Sequence, residues 1–486
     1  MYHGSRVEVT EEFFAESVWA GNYEEGGFDQ TDIVAGSGGR CRGSGIVFVS
    51  SGSTVDRLHS IETHEAAWVS NSFTCLLTAV DGSLPPNYEG YFRNFESIIR
   101  GLAAYRRWFD TSAGRMTLTY FDNVVWDRQS LRIEAKPVLP RNLSVFAEYR
   151  TFLESSLAQA TINRLSPGRR HALDIRSTAS SGYDSTTVTA LVKQYGCQEV
   201  ICFDRARGGD PDSGAAVVQA LGMRPLILCR DAWTKSVFPE AVFLSSDSKG
   251  EDVYFKSTEP HLTGTVLFTG FAGGKMWKKR PVDLSENIIR EDQSGLSLTE
   301  YRLHAGFIHC ALPFWGIRQV REVNHMSNLP EMDPWDFPPT YSKPFCRRVL
   351  EEAGIPRDLF GLRNRAASVL LWKNDSFMTW DSMKNYVAWL RRQGDDVPFL
   401  AKCPPAVGDF LDAMLCGGLY RFESACAGLL NTVSGVRGGW RIERLMSLGK
   451  LASMPDNPLC LRRYVFPWAV RRVMASYELN PDPWKV

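Results

Sequence analysis

Between residues 172 and 193 an apolar segment runs into a loop of very small residues and then directly into a helix. Residues 172–175 form the apolar segment, and Val188, Leu191 and Val192 recur at i, i+3 and i+4, the spacing of one helical face. A strand that feeds a helix through so short a loop leaves the first N–H groups of that helix without partners. Their partial positive charge, added to the helix dipole, favours an anion just beyond the strand. Gly182 lets the backbone come close to such a group, and the hydroxyls of Ser180, Ser181, Ser185 and Thr186 add donors. Asp184 is the odd member, because a carboxylate repels phosphate unless a cation lies between them. It is therefore expected to ligate Mg²⁺, directly or through water. The plain alternative is a Ser/Thr/Gly turn that caps an ordinary helix.

The chain around this loop alternates strand and helix. Residues 199–203, 225–229 and 265–269 are short apolar runs expected to be strands, and residues 212–222 form a helix ending at glycine. Repeated strand–helix units predict an α/β fold, a parallel sheet flanked by helices. Its ligands bind at the carboxyl ends of the strands, where residues 180–185, Asp204 and Gly270 fall. The 486 residues divide on this reading into a β-rich N-terminal domain (1–143), the α/β domain (144–375) and a helical C-terminal extension (376–486). In the first, residues 45–49, 73–80 and 116–121 are expected strands and 91–109 a helix; Pro137 and Pro140 mark the linker, and 146–163 is an amphipathic helix. In the last, residues 380–392 and 465–477 are amphipathic, with Val470, Val473, Met474 and Tyr477 on one face, for packing or for a partner.

Composition excludes several classes. The 55 basic and 55 acidic residues balance, so no basic field suits nucleic acid. Eleven cysteines without a C-x-x-C pair fit a reduced, cytoplasmic protein. The start has no apolar core behind a basic end, and no run of about 20 apolar residues occurs, so neither a leader nor a membrane partner is expected. A homo-oligomer is left open.

Ser180-Ser181-Gly182-Tyr183-Asp184-Ser185 is not the Gly-x-x-x-x-Gly-Lys-Ser/Thr phosphate loop. It resembles the pyrophosphate loop Ser-Gly-Gly-x-Asp-Ser of the ATP pyrophosphatases, with serine for one glycine. The order of that loop, the 199–203 strand, the helix beginning Asp212-Ser-Gly-Ala-Ala, and Val266-Leu-Phe-Thr-Gly-Phe-Ala-Gly-Gly274 is similar to the synthetase domain of asparagine synthetase and β-lactam synthetase. Leu312-Pro-Phe-Trp315 stands where that family has Val-Pro-Phe-Leu. Lys343 with Arg347, Ile355-Pro356, and Arg363-Asn364-Arg365 resemble its Lys-x-x-x-Arg, Leu-Pro and Arg-x-Lys elements, so the likeness covers residues 145–370. It implies an adenine nucleotide α-hydrolase-like sheet, with ATP and Mg²⁺ as cofactors and a small-molecule carboxylate and amine as substrates. The reaction implied is adenylation of the carboxylate, with loss of pyrophosphate, followed by amide formation and release of AMP. Ser180, Ser181, Gly182, Tyr183, Asp184, Ser185, Thr186 and Gly270 would hold phosphate, the backbone of Cys202 and Phe203 would face adenine, and Lys275, Lys343, Arg363 and Arg365 would be catalytic.

The departures narrow this. Tyr2 stands where asparagine synthetases carry their glutaminase cysteine, so the amine comes from a source other than glutamine. Phe271 replaces a polar residue and Gly274 the second Mg²⁺-binding aspartate; Lys275 can supply the lost positive charge or be a solvated cation. Besides the ligase, an inactive nucleotide-binding scaffold and an adenylating enzyme for sulfur or nitrogen transfer remain open. His59 with His64, and His304 with His309, are spaced wrongly for metal on one helical face. Arg205 or Arg207 could reach phosphate, and Arg318, Arg321 and His325 an anionic substrate; surface charge is the plain reading of both groups. Cys310 is expected to be packing.

Overall fold

The structure is a computed structural model that describes residues 1–86, 91–281, 283–290, 292–337, 341–361, 365–371, 378–393, 402–404, 406–408, 410–411 and 464–477. Its centre is a five-stranded sheet of β1 (Asp174–Ala179), β2 (Glu199–Phe203), β3 (Arg224–Leu228), β4 (Thr265–Thr269) and β5 (Ile308–Ala311). The strands lie in the order β3-β2-β1-β4-β5, and every pairing is parallel. Side chains alternate across such a sheet. Val200 and Cys202 of β2, with Val266 and Phe268 of β4, enter one apolar core. Ile201, Phe203 and Leu267 enter another on the opposite face. Both faces are thus covered, which is why β4 is buried along its whole length, with an apolar Val266-Leu267-Phe268 centre. The order reverses at β1, so a crevice opens at the carboxyl ends of β1 and β4.

The N-terminal region contributes two antiparallel sheets. One has the order Glu8–Val9, Phe13–Trp19, Val34–Arg42, Gly45–Val49, Asn123–Trp126, Leu131–Glu134; the other Ala67–Ser70, Leu58–Glu62, Gly114–Thr119, Trp108–Thr111. The inner residues Ile61, Phe109 and Leu118 of the second sheet belong to the same core as Val188 and Val266 of the α/β region. The second core is closed by helices Ala241–Asp247, Leu298–Ala305, Trp380–Arg391 and Val465–Met474, with Val473 buried in it while Val470 enters the first core. Among the described residues no helix is long and apolar enough to cross a membrane.

Residues 73–80, expected as a strand, instead form the helix Phe73–Ala79. Phe73, Leu76 and Leu77 suit a helical face as well as a strand, and the contacts at Ser72 settle the choice. The Ser72 hydroxyl accepts from Cys75 N–H at 2.9 Å. The buried Glu300 carboxylate also accepts from the N–H of Phe73 at 2.7 Å and the hydroxyls of Ser72 and Thr74 at 2.8 and 2.9 Å. A carboxylate there satisfies orphan donors and complements the helix dipole. The helix expected over 91–109 is shorter: Tyr91–Glu96 continues as a 3₁₀ turn, Ser97–Arg100, and stops at Gly101, whose φ of 88° is left-handed. The 212–222 helix likewise starts late, at Ala215, after Gly214 turns left-handed with φ 61°.

One buried charge cluster ties the two regions together. Arg302 is fully buried; its guanidinium meets Glu16 of strand Phe13–Trp19 at 2.7 Å and Asp56 at 2.9 Å. Burial pushes the Glu16 carboxyl above its ordinary range, and Arg302 opposes that shift. Removing one partner of such a cluster leaves charge buried and unpaired, which costs about 3–5 kcal/mol. Arg302→Met is therefore expected to lower the urea-unfolding free energy by about that amount; a loss under about 1 kcal/mol would contradict the account.

Candidate functional site

The loop between β1 and the helix Asp184–Val192 is held largely by its own hydroxyls. Ser180 N–H donates to Ser185 Oγ at 3.2 Å, and Gly182 N–H to Ser180 Oγ at 3.1 Å. The Thr186 hydroxyl donates back to the carbonyls of Gly182 and Tyr183. Tyr183 is the anchor. Its buried ring packs on Tyr341 and Phe360 at centroid distances of 5.1 and 5.9 Å. Its hydroxyl donates to the Phe337 carbonyl at 2.8 Å and accepts from Arg347 Nη2 at 2.6 Å. Gly361 N–H donates to the Ser181 carbonyl at 2.8 Å, and a side chain at Gly361, already left-handed with φ 68°, would overlap the Tyr183 ring.

Ser181 also reaches out of the loop. Its N–H donates to Asp212 Oδ1 at 2.9 Å, and its hydroxyl donates to the same oxygen. Asp212 is buried there and does not cap its helix. Asp184 faces a different partner. Both of its oxygens lie 2.6 Å from the ammonium of Lys343, which is itself buried. The turn after β4 closes over the Asp184 backbone. A Cβ on Gly270 would stand 2.5 Å from Asp184 C and Ser185 N, and one on Gly273 would stand 2.5 Å from Asp184 Cγ. Between them Ala272 is held left-handed at φ 67°, a conformation that costs an L-residue about 1–2 kcal/mol.

The other expected site residues lie at varying distances from this centre. Arg365 donates to the Pro211 carbonyl and sits 3.8 Å from Asp210, next to Asp212 in sequence. Lys275 is buried, with its ammonium on the Asp283 carbonyl. Phe271 packs on the His309 ring at 5.5 Å, so it completes the core under the turn. Cys202 and Phe203 end β2 with buried side chains; burial pushes the Cys202 thiol up to about 12. Arg363 lies outside the described residues. Arg207 holds the carbonyl of Ser368 at 3.1 Å, and Arg205 pairs with Asp204 at 3.3 Å. Arg318 lies over Phe121 and Arg321 donates to the Leu284 carbonyl, while His325 is exposed, so these three do not converge.

His59 accepts from Arg57 at 3.0 Å inside the core, whereas His64 is exposed. Burial holds His309 down at about 4, neutral, on the Thr269 hydroxyl at 2.8 Å. Burial also pushes the Cys310 thiol upward, in keeping with a packing role. Among the described residues no group of three His, Cys, Asp or Glu side chains is placed to hold a metal.

The donors of residues 180–185 therefore fit an anion, since one already receives two hydrogen bonds from Ser181. Lys343 stands against both oxygens of Asp184, the residue expected to ligate Mg²⁺. Asp212 is the site residue that sequence reasoning missed; its contact with Ser181 spans 31 positions and leaves no local signal. No protein-family profile and no curated protein sequence matches this chain.

Gly270→Ala is expected to destabilise the fold by about 1–3 kcal/mol, because the atoms it meets are backbone. Gly208→Ala, with nothing within 4 Å, serves as the control and should stay within about 0.5 kcal/mol. Urea denaturation of both variants checks this; equal effects would contradict the close approach.

Proposed function

We propose that the chain is an ATP-dependent ligase, which adenylates a substrate carboxylate and joins it to an amine from a source other than glutamine. The observation that carries this reading is the convergence of the Ser181 N–H and hydroxyl on one carboxylate oxygen, at the carboxyl end of β1 where the strand order reverses. A loop that holds a carboxylate this way offers the donors that a phosphate oxygen needs. The sheet order and the small-residue loop support an adenine nucleotide α-hydrolase-like core.

In this reading ATP supplies the α-phosphorus that the substrate carboxylate attacks, with pyrophosphate leaving, and the amine then displaces AMP from the acyl carbon. The chain's part is positioning and charge stabilisation. Residues 180–186 and Gly270 seat the β- and γ-phosphates, and the backbone of Cys202 and Phe203 borders the adenine. Lys343 cancels the charge of Asp184, so that carboxylate does not repel the phosphates. Arg365, held on the Pro211 carbonyl beside Asp212, is the guanidinium placed to clamp a leaving pyrophosphate. Asp184 would be the residue to hold Mg²⁺, which would screen the charge of the phosphates.

A second reading, a nucleotide-binding scaffold without chemistry, is favoured by one feature. The turn after β4 is packed as core, with Phe271 on His309 and Lys275 on a backbone carbonyl.

Calorimetric titration with ATP is expected to give a dissociation constant in the micromolar range; no heat up to millimolar ATP would contradict both readings. Incubation with free glutamine is expected to release no glutamate, and release above background would overturn the assignment of the amine source.

A further inference from the structure

We propose that Asp212 is an internal stand-in for phosphate, and that nucleotide enters the loop by displacing it. The inference rests on the reading of residues 180–186 as a pyrophosphate seat. The Ser181 N–H and hydroxyl both bind Asp212 Oδ1, so a phosphate oxygen cannot take those two donors while the carboxylate remains. The two anions would also repel each other at that separation.

The segment that carries Asp212 is a closed turn, tied to its surroundings at its start by Arg207, whose N–H donates to the Ala366 carbonyl at 2.8 Å, and by Asp204, which accepts from Arg230 N–H at 2.9 Å. Residues 204–212 close on themselves: Ala206 N–H donates to the Asp210 carbonyl at 2.8 Å, and Arg205 bridges to Pro211. Residues 208–211 are exposed, whereas Asp212 is buried at 6% exposure. Gly214 follows in a left-handed turn and presses on the loop, where a Cβ would stand 2.7 Å from Ser180 N. Arg365 holds the same segment by the Pro211 carbonyl. A phosphate group that attracted Arg365 would therefore release the segment at the moment it competes for Ser181. Seat and clamp are both occupied by residues 210–212, so one displacement frees both.

A site that must first open binds more weakly by the fraction of time it is open. If the open form is on the order of a tenth of the population, Asp212→Asn tightens binding about tenfold. The asparagine oxygen can still accept from Ser181, which preserves the fold while removing the charge. The test titrates inorganic pyrophosphate and ATP, separately, into the full chain and into Asp212→Asn. Tightening of about tenfold for both probes supports the displacement, as does binding detectable in the variant alone. Unchanged or weaker binding in a folded variant overturns it and makes Asp212 a brace of the loop. No binding of either probe to either protein removes the seat itself, and the displacement with it. A second measurement needs no variant: amide hydrogen exchange in residues 204–214 of the unmodified chain should quicken at saturating pyrophosphate. Unchanged or slower exchange there overturns the proposal.

Discussion

The arrangement at the centre of this protein depends on two backbones in van der Waals contact. The turn after β4 lies so close to the start of the helix after β1 that neither Gly270 nor Gly273 has room for a side chain. Two parallel strands adjacent in the sheet, but far apart in sequence, thereby deliver their following loops to one point. Tyr183 fixes the other side of that point. Its ring fills the core, and its hydroxyl takes the guanidinium of Arg347. The loop between them closes on its own hydroxyls, with the N–H of Ser180 on Ser185 Oγ and that of Gly182 on Ser180 Oγ.

Charge at that point is balanced within the chain. Asp184 has Lys343 on both oxygens, and Ser181 has Asp212 on both donors. Each pair is made within the chain: an ammonium against the acid, and a carboxylate against the N–H and hydroxyl of Ser181. Such compensation lets a polar loop be partly buried without leaving donors or charges unsatisfied. The buried Glu16–Arg302–Asp56 cluster does comparable work farther away, holding the antiparallel region against the helix Leu298–Ala305.

Much of the parallel sheet was legible in the sequence. Glu199–Phe203 and Thr265–Thr269 have the expected bounds, because short apolar runs between turn residues have few other uses in a repeating strand–helix pattern. The helix after Tyr183 was legible for the same reason. Residues 73–80 were not: their apolar spacing suits strand and helix alike, and the deciding group, Glu300, lies 227 residues beyond Phe73. The loop's two partners, Lys343 and Asp212, meet it only through the tertiary fold, so no local signal marks them. Phe271 shows the limit of reading one position at a time. In the sequence it is a polar residue lost, and in the fold it packs on the His309 ring.

The most direct test is a crystal structure with a non-hydrolysable ATP analogue. The account predicts the β- and γ-phosphates within hydrogen-bond reach of the N–H groups of residues 181–185, and Asp212 withdrawn from Ser181. Nucleotide bound elsewhere, or a loop still closed on Asp212 at saturating analogue, would contradict it.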